Sequence, residues 1–204
     1  MILGSDKAEV ANRARGVTFE STVHPAKIDG KPYNLHDTVG LGEHSSGTAD
    51  SAKAVRNLYR LVTDLSNSGG VNLLVFVIRQ GRLTDTIYKN YVLFHHGFCD
   101  SKVPIVIILT HCEYVEPTME TWWIDNEASF TEAGMTFNGY ACVCSFKGTE
   151  RSGYRNEILV GKSVEVVKPL VVQQCIPDGW KMVCRHPSSV TKLEPTQFTE
   201  TLPI

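Results

Sequence analysis

Two patterns of hydrophobic residues alternate along this chain, and together they predict its helices and strands. Between Asp50 and Ser66 apolar side chains recur every three or four residues, which predicts an amphipathic helix that stops at Gly69-Gly70. Its apolar face carries Val55, Leu58, Tyr59, Val62 and Leu65. Residues 71–78 and 103–109 are instead nearly unbroken apolar runs, which are typical of parallel strands buried on both faces. A third strand of this type is predicted over residues 138–145.

A hairpin is predicted upstream of these elements. Asp29-Gly30 separates residues 20–28 from residues 31–36, and this dipeptide between two short runs is a strong signal for a tight two-residue turn. The chain is therefore predicted to form an antiparallel pair of strands before its first buried parallel strand.

Three further helices are expected between and after the buried strands. Thr84 can cap the first, and Pro117 is suited to begin the second, which ends near Gly134. In the third, valines recur at helical spacing over residues 160–171, and Pro169 is expected to kink or end it. Strands that alternate with helices predict an α/β fold with three layers: a mostly parallel sheet covered on both sides, with the hairpin as its antiparallel edge.

Composition favours one cytoplasmic domain. The net charge of −2 gives no electrostatic reason to expect nucleic acid or an acidic membrane as a partner. No apolar run reaches membrane-spanning length, and residues 1–16 lack a signal-peptide core. Residues 1–175 are predicted to form the domain, and residues 176–204, rich in Pro, Ser and Thr, a flexible tail. The six cysteines show no zinc-site spacing, so reduced thiols are expected.

Candidate chemistry begins at the end of the hairpin. Asp37 follows a short strand, and Gly40 comes three residues later. An Asp at a strand end can hold Mg²⁺ through water, and a Gly lets backbone N–H groups approach a phosphate. Taken alone, this spacing is more typical of a strand followed by a turn, because Asp and Gly are common turn residues.

The longer run Asp37-Thr38-Val39-Gly40-Leu41 resembles the switch II motif of the GTP-binding P-loop proteins, the G domains. Within that class the chain looks closest to the immunity-associated and septin-like branch, over about residues 1–175. The resemblance implies a P-loop NTPase-like fold that binds GTP or GDP with Mg²⁺. It also implies that Asp37 and a switch I threonine contact the metal; Thr18 fits that position best and Thr22 second.

A second motif of the class follows the second buried strand. Thr110-His111-Cys112-Glu113 is similar to the base-recognition motif Asn/Thr-Lys-x-Asp. The resemblance implies that Glu113 accepts the N1 and N2 protons of guanine and that His111 replaces the lysine that packs along the base. Glu113 is one methylene longer than Asp, so selectivity for guanine stays open. Ser145 would lie in the loop whose backbone contacts the guanine oxygen.

The sequence departs from the G-domain pattern in two places, one that concerns phosphate binding and one that concerns hydrolysis. No Gly-x-x-x-x-Gly-Lys-Ser/Thr motif occurs; Gly161-Lys162-Ser163 has only its last three letters. We therefore expect that the chain begins just after the phosphate loop and lacks the first strand, although a natural start without that loop is the alternative. Leu41 stands where Ras-like proteins have the Gln that orients water, and Glu43 is the nearest candidate for a catalytic role.

Two functions remain in competition. The first is a GTP-binding switch or slow GTPase, whose hydrolysis needs a protein partner, a cation or a G-domain dimer. The second is a non-catalytic, nucleotide-free interaction domain derived from a G domain. A serine or cysteine hydrolase is a distant third, because no Gly-x-Ser-x-Gly motif is present and Cys112 has no evident base beyond His111.

Overall fold

The structure is a computed structural model, and it describes residues 22–38, 48–144 and 153–182. Strands β1 (Thr22–Ile28) and β2 (Lys31–Asp37) form the predicted antiparallel hairpin. Asp29 and Gly30 both have positive φ, 48° and 80°, as a two-residue turn matched to the twist of the strands requires. The hairpin prediction is confirmed.

The parallel sheet contains β3 (Leu74–Arg79), β4 (Ile105–Thr110) and β5 (Gly139–Cys142), in the order β3-β4-β5. The α/β class is confirmed. The hairpin does not extend this sheet as an antiparallel edge: in the described ranges β1 and β2 form a sheet of their own, with no hydrogen-bonded pairing to β3. Side-chain packing joins the two sheets instead, since Ile28 is buried in a cluster that contains Ile108 of β4.

Helices cover both faces of the parallel sheet. They are α1 (Thr48–Ser68), α2 (Asp85–Tyr91), which continues into a π-helical turn (Val92–Phe98), α3 (Thr121–Glu132) and α4 (Gly153–Gln174). Alternate residues of β4 face opposite sides. Ile107 packs with Tyr91 of α2 and Trp123 of α3, whereas Ile108 packs with Val167 of α4. The described part of the chain therefore has helices on either side of a central sheet.

The structure corrects three predicted boundaries. α3 begins at Thr121 and not at Pro117, because residues 113–120 form turns. Pro169 does not end α4, which continues to Gln174. Val167 and Val171 are buried against the sheet on either side of the proline, and this packing offsets the hydrogen bond that proline cannot donate.

The third correction concerns the start of β3, which begins at Leu74 and not at Val71. Val71 instead exchanges two backbone hydrogen bonds of 2.9 Å with Trp180. Nearby, the Met182 N–H donates to the Ser66 hydroxyl at 2.7 Å. The described part of the predicted tail, residues 176–182, is thus held against α1 and the entrance to β3. None of the helices within the described ranges is long and apolar enough to cross a membrane.

Candidate functional site

The loop after β4 lies at the carboxyl edge of the parallel sheet, where open α/β sheets bind ligands. Thr110 ends β4, and its hydroxyl donates to the Ile78 carbonyl of β3 at 3.3 Å. On the other side the Cys112 N–H donates to the Val143 carbonyl, just beyond β5, at 3.2 Å. The loop is thereby anchored to both neighbouring strands, so its side chains are held at a defined place.

His111 adopts a backbone conformation that is uncommon for a residue with a Cβ. Its φ is 63°, in the left-handed region, where a non-glycine residue is held at a cost of about 1–3 kcal/mol. Its Nδ1 lies 3.1 Å from the Thr110 hydroxyl oxygen. This turn directs the chain inward, so that Cys112 and Glu113 are both buried directly after it.

Glu113 is the most unusual side chain of the loop. It is 7% exposed, and its Oε2 atom has no hydrogen-bond partner among the described residues. A buried carboxylate without a partner is costly. An acceptor in this position is suited to a ligand that brings its own N–H donors.

Cys112, next to Glu113 in the chain, lies close to a second thiol, that of Cys142. The Cys112 thiol donates to the Leu109 carbonyl at 3.4 Å. A hydrogen bond from Cys142 lowers the pKa of Cys112, as does the Val143 N–H, whereas burial and the negative charges of Glu113 and Glu120 act in the opposite direction. The hydrogen bond with Cys112, together with burial, raises the pKa of Cys142. Of the two thiols, Cys112 is therefore the one whose pKa is lowered.

The structure brings Thr110, His111 and Glu113 together in one anchored loop. Asp37 lies exposed at the end of β2, in the separate two-stranded sheet, so no strand pairing in the described ranges sets its position relative to that loop. The other predicted site residues lie outside the described residues; they are Thr18, Gly40, Glu43 and Ser145.

No group of three or more His, Cys, Asp and Glu side chains that could hold a metal ion occurs among the described residues. Of the two predicted Mg²⁺ ligands, Asp37 is described and Thr18 is not. Mg²⁺ held through one carboxylate and water does not need such a cluster.

The tripeptide Gly161-Lys162-Ser163 belongs to α4 and forms no phosphate loop. The Ser163 side chain is fully buried; its hydroxyl accepts from the Cys144 N–H at 2.9 Å and donates to the Leu159 carbonyl at 2.7 Å. Ser163 thus ties the end of β5 to α4, which is a structural role.

Sequence reasoning missed the contact between Cys112 and Cys142. In the sequence Cys142 stands next but one to Cys144, and residues two apart share one face of a strand. Only the strand order β4-β5 places the loop after β4 next to the end of β5.

A cavity of about 440 Å³ lies away from this loop, at the amino ends of β4 and β5, lined by His95 and Asn138 among others. His95 is buried, and burial, followed by the charge of His96, lowers its pKa. It is therefore a neutral imidazole near neutral pH. None of the predicted site residues that the structure describes, Asp37, Thr110, His111 and Glu113, lines this cavity.

The chain matches no model of a protein family and no curated protein. A function must therefore be argued from the motifs and from the geometry of the loop after β4. Glu113, with its buried and unpartnered oxygen, is the feature of that loop that most directly indicates a ligand.

Proposed function

We propose that this chain belongs to a GTP-binding protein with a P-loop NTPase-like G domain and that the loop after β4 recognises the guanine base. The element order supports this: an antiparallel hairpin ending in Asp37, then helices alternating with three parallel strands. The single observation that carries the proposal is the buried Glu113 carboxylate with an unpartnered oxygen at the carboxyl edge of the sheet.

Guanine suits this carboxylate chemically. Its N1–H and N2–H groups are two adjacent donors, and an ionised carboxylate accepts through both of its oxygens. Each hydrogen bond to a charged group contributes about 1.5–3 kcal/mol, and binding would give Oε2 the partner it lacks. In the same proposal the His111 ring lies where the base stacks. Adenine presents no such pair of donors on its corresponding edge, so it should be discriminated against.

The phosphate end of the ligand is assigned from the motif. Asp37 and Thr18 contact Mg²⁺, Gly40 brings a backbone N–H to the terminal phosphate, and Ser145 lies in the loop near the guanine oxygen. Leu41 has no hydrogen-bonding side chain with which to orient water, so Glu43, two residues further along the chain, is the candidate for a role in hydrolysis. We expect GTP hydrolysis to be slow in the absence of a partner.

Base selectivity tests the proposal. Calorimetric titration with GDP, IDP, XDP and ADP should rank GDP above IDP, which lacks the N2 amino group, and both above ADP. The 204 residues contain no phosphate-loop motif, so we expect a dissociation constant weaker than about 1 μM.

Substitution at Glu113 gives the sharper result. Glu113→Gln replaces one acceptor oxygen by a donor, so GDP binding should weaken by about tenfold or more while XDP, with a carbonyl at C2, gains. Asp125→Asn removes one exposed acid from α3 and serves as the control. Equal affinities for GDP and ADP, or equal losses in the two variants, would contradict the proposal.

The second candidate, a nucleotide-free interaction domain, is favoured by one observation. Val77 of β3 is 57% exposed although it lies inside an apolar strand. A folded chain that binds none of the four nucleotides at millimolar concentration would support this candidate over the first.

A further inference from the structure

Cys112 and Cys142 are thirty residues apart in sequence and adjacent in space. Cys142 ends β5 and is the register partner of Leu109. The Val143 N–H donates to the Leu109 carbonyl at 2.8 Å, and the Cys112 N–H donates back to the Val143 carbonyl at 3.2 Å. These two backbone bonds hold the loop after β4 against the end of β5, and the two thiols are hydrogen-bonded to each other. A disulfide requires this kind of neighbouring backbone.

The surroundings distinguish the two sulfurs. Cys112 is 0% and Cys142 1% exposed, in an apolar cluster with Trp123 and Met119. The Cys112 thiol donates to the Leu109 carbonyl at 3.4 Å, and a hydrogen bond from Cys142 lowers its pKa. The same hydrogen bond and burial raise the pKa of Cys142. Cys112 is therefore the better candidate for the first nucleophile, and Cys142, held beside it, is positioned to react with it next.

We propose that Cys112 and Cys142 form a reversible intramolecular disulfide when the protein meets a peroxide. The Cys112 thiolate attacks one oxygen of hydrogen peroxide, the O–O bond breaks, and sulfenic acid forms with release of hydroxide. The Cys142 sulfur then attacks the Cys112 sulfur. The S–O bond breaks as the S–S bond forms, and the Cys142 proton leaves with the hydroxyl group as water. In total, two thiols are oxidised and one peroxide is reduced to two waters.

The cross-link would change the loop after β4 directly. It joins the residue between His111 and Glu113 to the last residue of β5, and it closes a covalent loop that contains α3. The loop would then be unable to move away from β5, so the oxidised chain should unfold at a higher temperature. This inference does not depend on nucleotide binding, because it concerns only the chemistry of the two thiols.

Burial sets the expected rate. Both sulfurs are shielded, so peroxide reaches them only when the loop opens locally, and oxidation should be slower than that of an exposed thiol. Low urea concentrations, below the unfolding transition, should therefore accelerate formation of the disulfide. Cys99 is a matched comparison: it is also buried, and burial raises its pKa to about 12, but no other cysteine of the described ranges shares its buried cluster.

Mass spectrometry of the full chain tests the proposal. The protein is treated with hydrogen peroxide, remaining thiols are alkylated, and peptides are mapped before and after reduction. We expect a loss of about 2 Da, a peptide pair joined through Cys112 and Cys142, and full reversal by dithiothreitol. Predominant linkage of Cys142 to Cys144, only intermolecular disulfides, or Cys112 oxidised to sulfinic acid with Cys142 still free would overturn the proposal.

Variants identify the order of the steps. In Cys142→Ser, the Cys112 sulfenic acid has no neighbouring thiol and should be trapped by dimedone; in Cys112→Ser, dimedone labelling at Cys142 should fall to background. Cys99→Ser is the control and should form the disulfide as the unsubstituted chain does. Because a cysteine variant can fail to fold, the mapping of the unsubstituted protein is decisive by itself. Dimedone labelling of Cys142 in preference to Cys112 would contradict the assigned nucleophile.

Discussion

β3 and β4 are neighbours in the parallel sheet and have similarly apolar sequences, yet their environments differ. Five of the six residues of β4 are buried, whereas every residue of β3 is half-buried or exposed. Val77 in β3 is 57% exposed; Ile108, its register partner in β4, is 4% exposed. The two strands differ in burial because β4 lies between two strands, whereas β3 pairs only with β4 among the described residues.

This comparison shows that an apolar run does not specify how deeply a strand is buried. The run predicts that burial would be favourable, but the elements that cover the strand must come from elsewhere in the chain. An apolar strand at a sheet edge also presents backbone donors and acceptors to other chains. β4 should therefore dominate stability, and β3 should dominate association.

The largest effect is expected from truncation in the inner strand. Ile107 is fully buried, so Ile107→Ala removes packed methylenes and leaves a cavity, at a cost of about 2–5 kcal/mol in the free energy of unfolding. Val77→Ala in β3 should change it by no more than about 0.5 kcal/mol. Urea denaturation of both variants measures the contrast. Similar losses would mean that Val77 is covered in solution.

A smaller effect on stability is expected at the segment just before β3. A Cβ on Gly179 would overlap the carbonyl oxygen of Gly69, so Gly179→Ala should cost about 1–3 kcal/mol by pushing residues 176–182 off α1. Gly161→Ala is the matched control: it meets no atom within 4 Å on α4, and helix propensity should stabilise it by up to about 1 kcal/mol. Thermal unfolding distinguishes them, and a Gly179→Ala protein as stable as the original would show that this contact is dispensable.

A third effect concerns how β4 begins. The Asn138 side-chain oxygen accepts from the Ile105 N–H at 2.9 Å, and the Asn138 N–H donates to the Ile105 carbonyl at 2.7 Å. Asn138→Ala removes the first bond and should cost about 1 kcal/mol, whereas Asn138→Asp keeps an acceptor and should lose less. Chemical denaturation provides the values. Equal losses in the two variants would show that the side-chain acceptor is not what Asn138 contributes to stability.

The smallest effect on stability, and the clearest on association, is expected from a charge on β3. Val77→Lys should leave the unfolding free energy within about 0.5 kcal/mol and reduce self-association, because charged side chains discourage edge pairing. Light scattering during incubation measures the self-association. Ile124→Lys removes a comparably exposed apolar side chain from α3 and should have less influence. If both variants reduce scattering equally, general hydrophobicity and not the strand edge drives association.

Local elements could be predicted from the sequence because their causes are local. Asp29-Gly30 specifies a turn by tolerating positive φ at two positions, and it ends β1 at Ile28. Thr84 caps α2, as predicted, by accepting from the Ile87 N–H at 3.3 Å. The apolar runs around Ile107 and Val75 became parallel strands because β-branched residues pack well on a pleated surface.

The candidate site was predictable only as a set of separate positions. The motif located Thr110, His111 and Glu113 at a strand end, and the strand does end at Thr110. It did not indicate that Glu113 is buried with an unpartnered oxygen, nor how Asp37 is placed relative to it. Those features depend on the order of the strands in the sheet. That order is determined by contacts between residues that are far apart in the sequence.

The sequence by itself determined the hairpin, the alternation of helices and strands, and the α/β class, since each follows from the conformational preferences of a few adjacent residues. The tertiary structure alone decided the order β3-β4-β5, the separation of the hairpin from that sheet, and the return of residues 176–182 to α1. It alone also brought Cys112 to Cys142. The physical reason is that these features form when distant apolar surfaces are buried together, and that free energy belongs to the assembled core and not to any single stretch of chain.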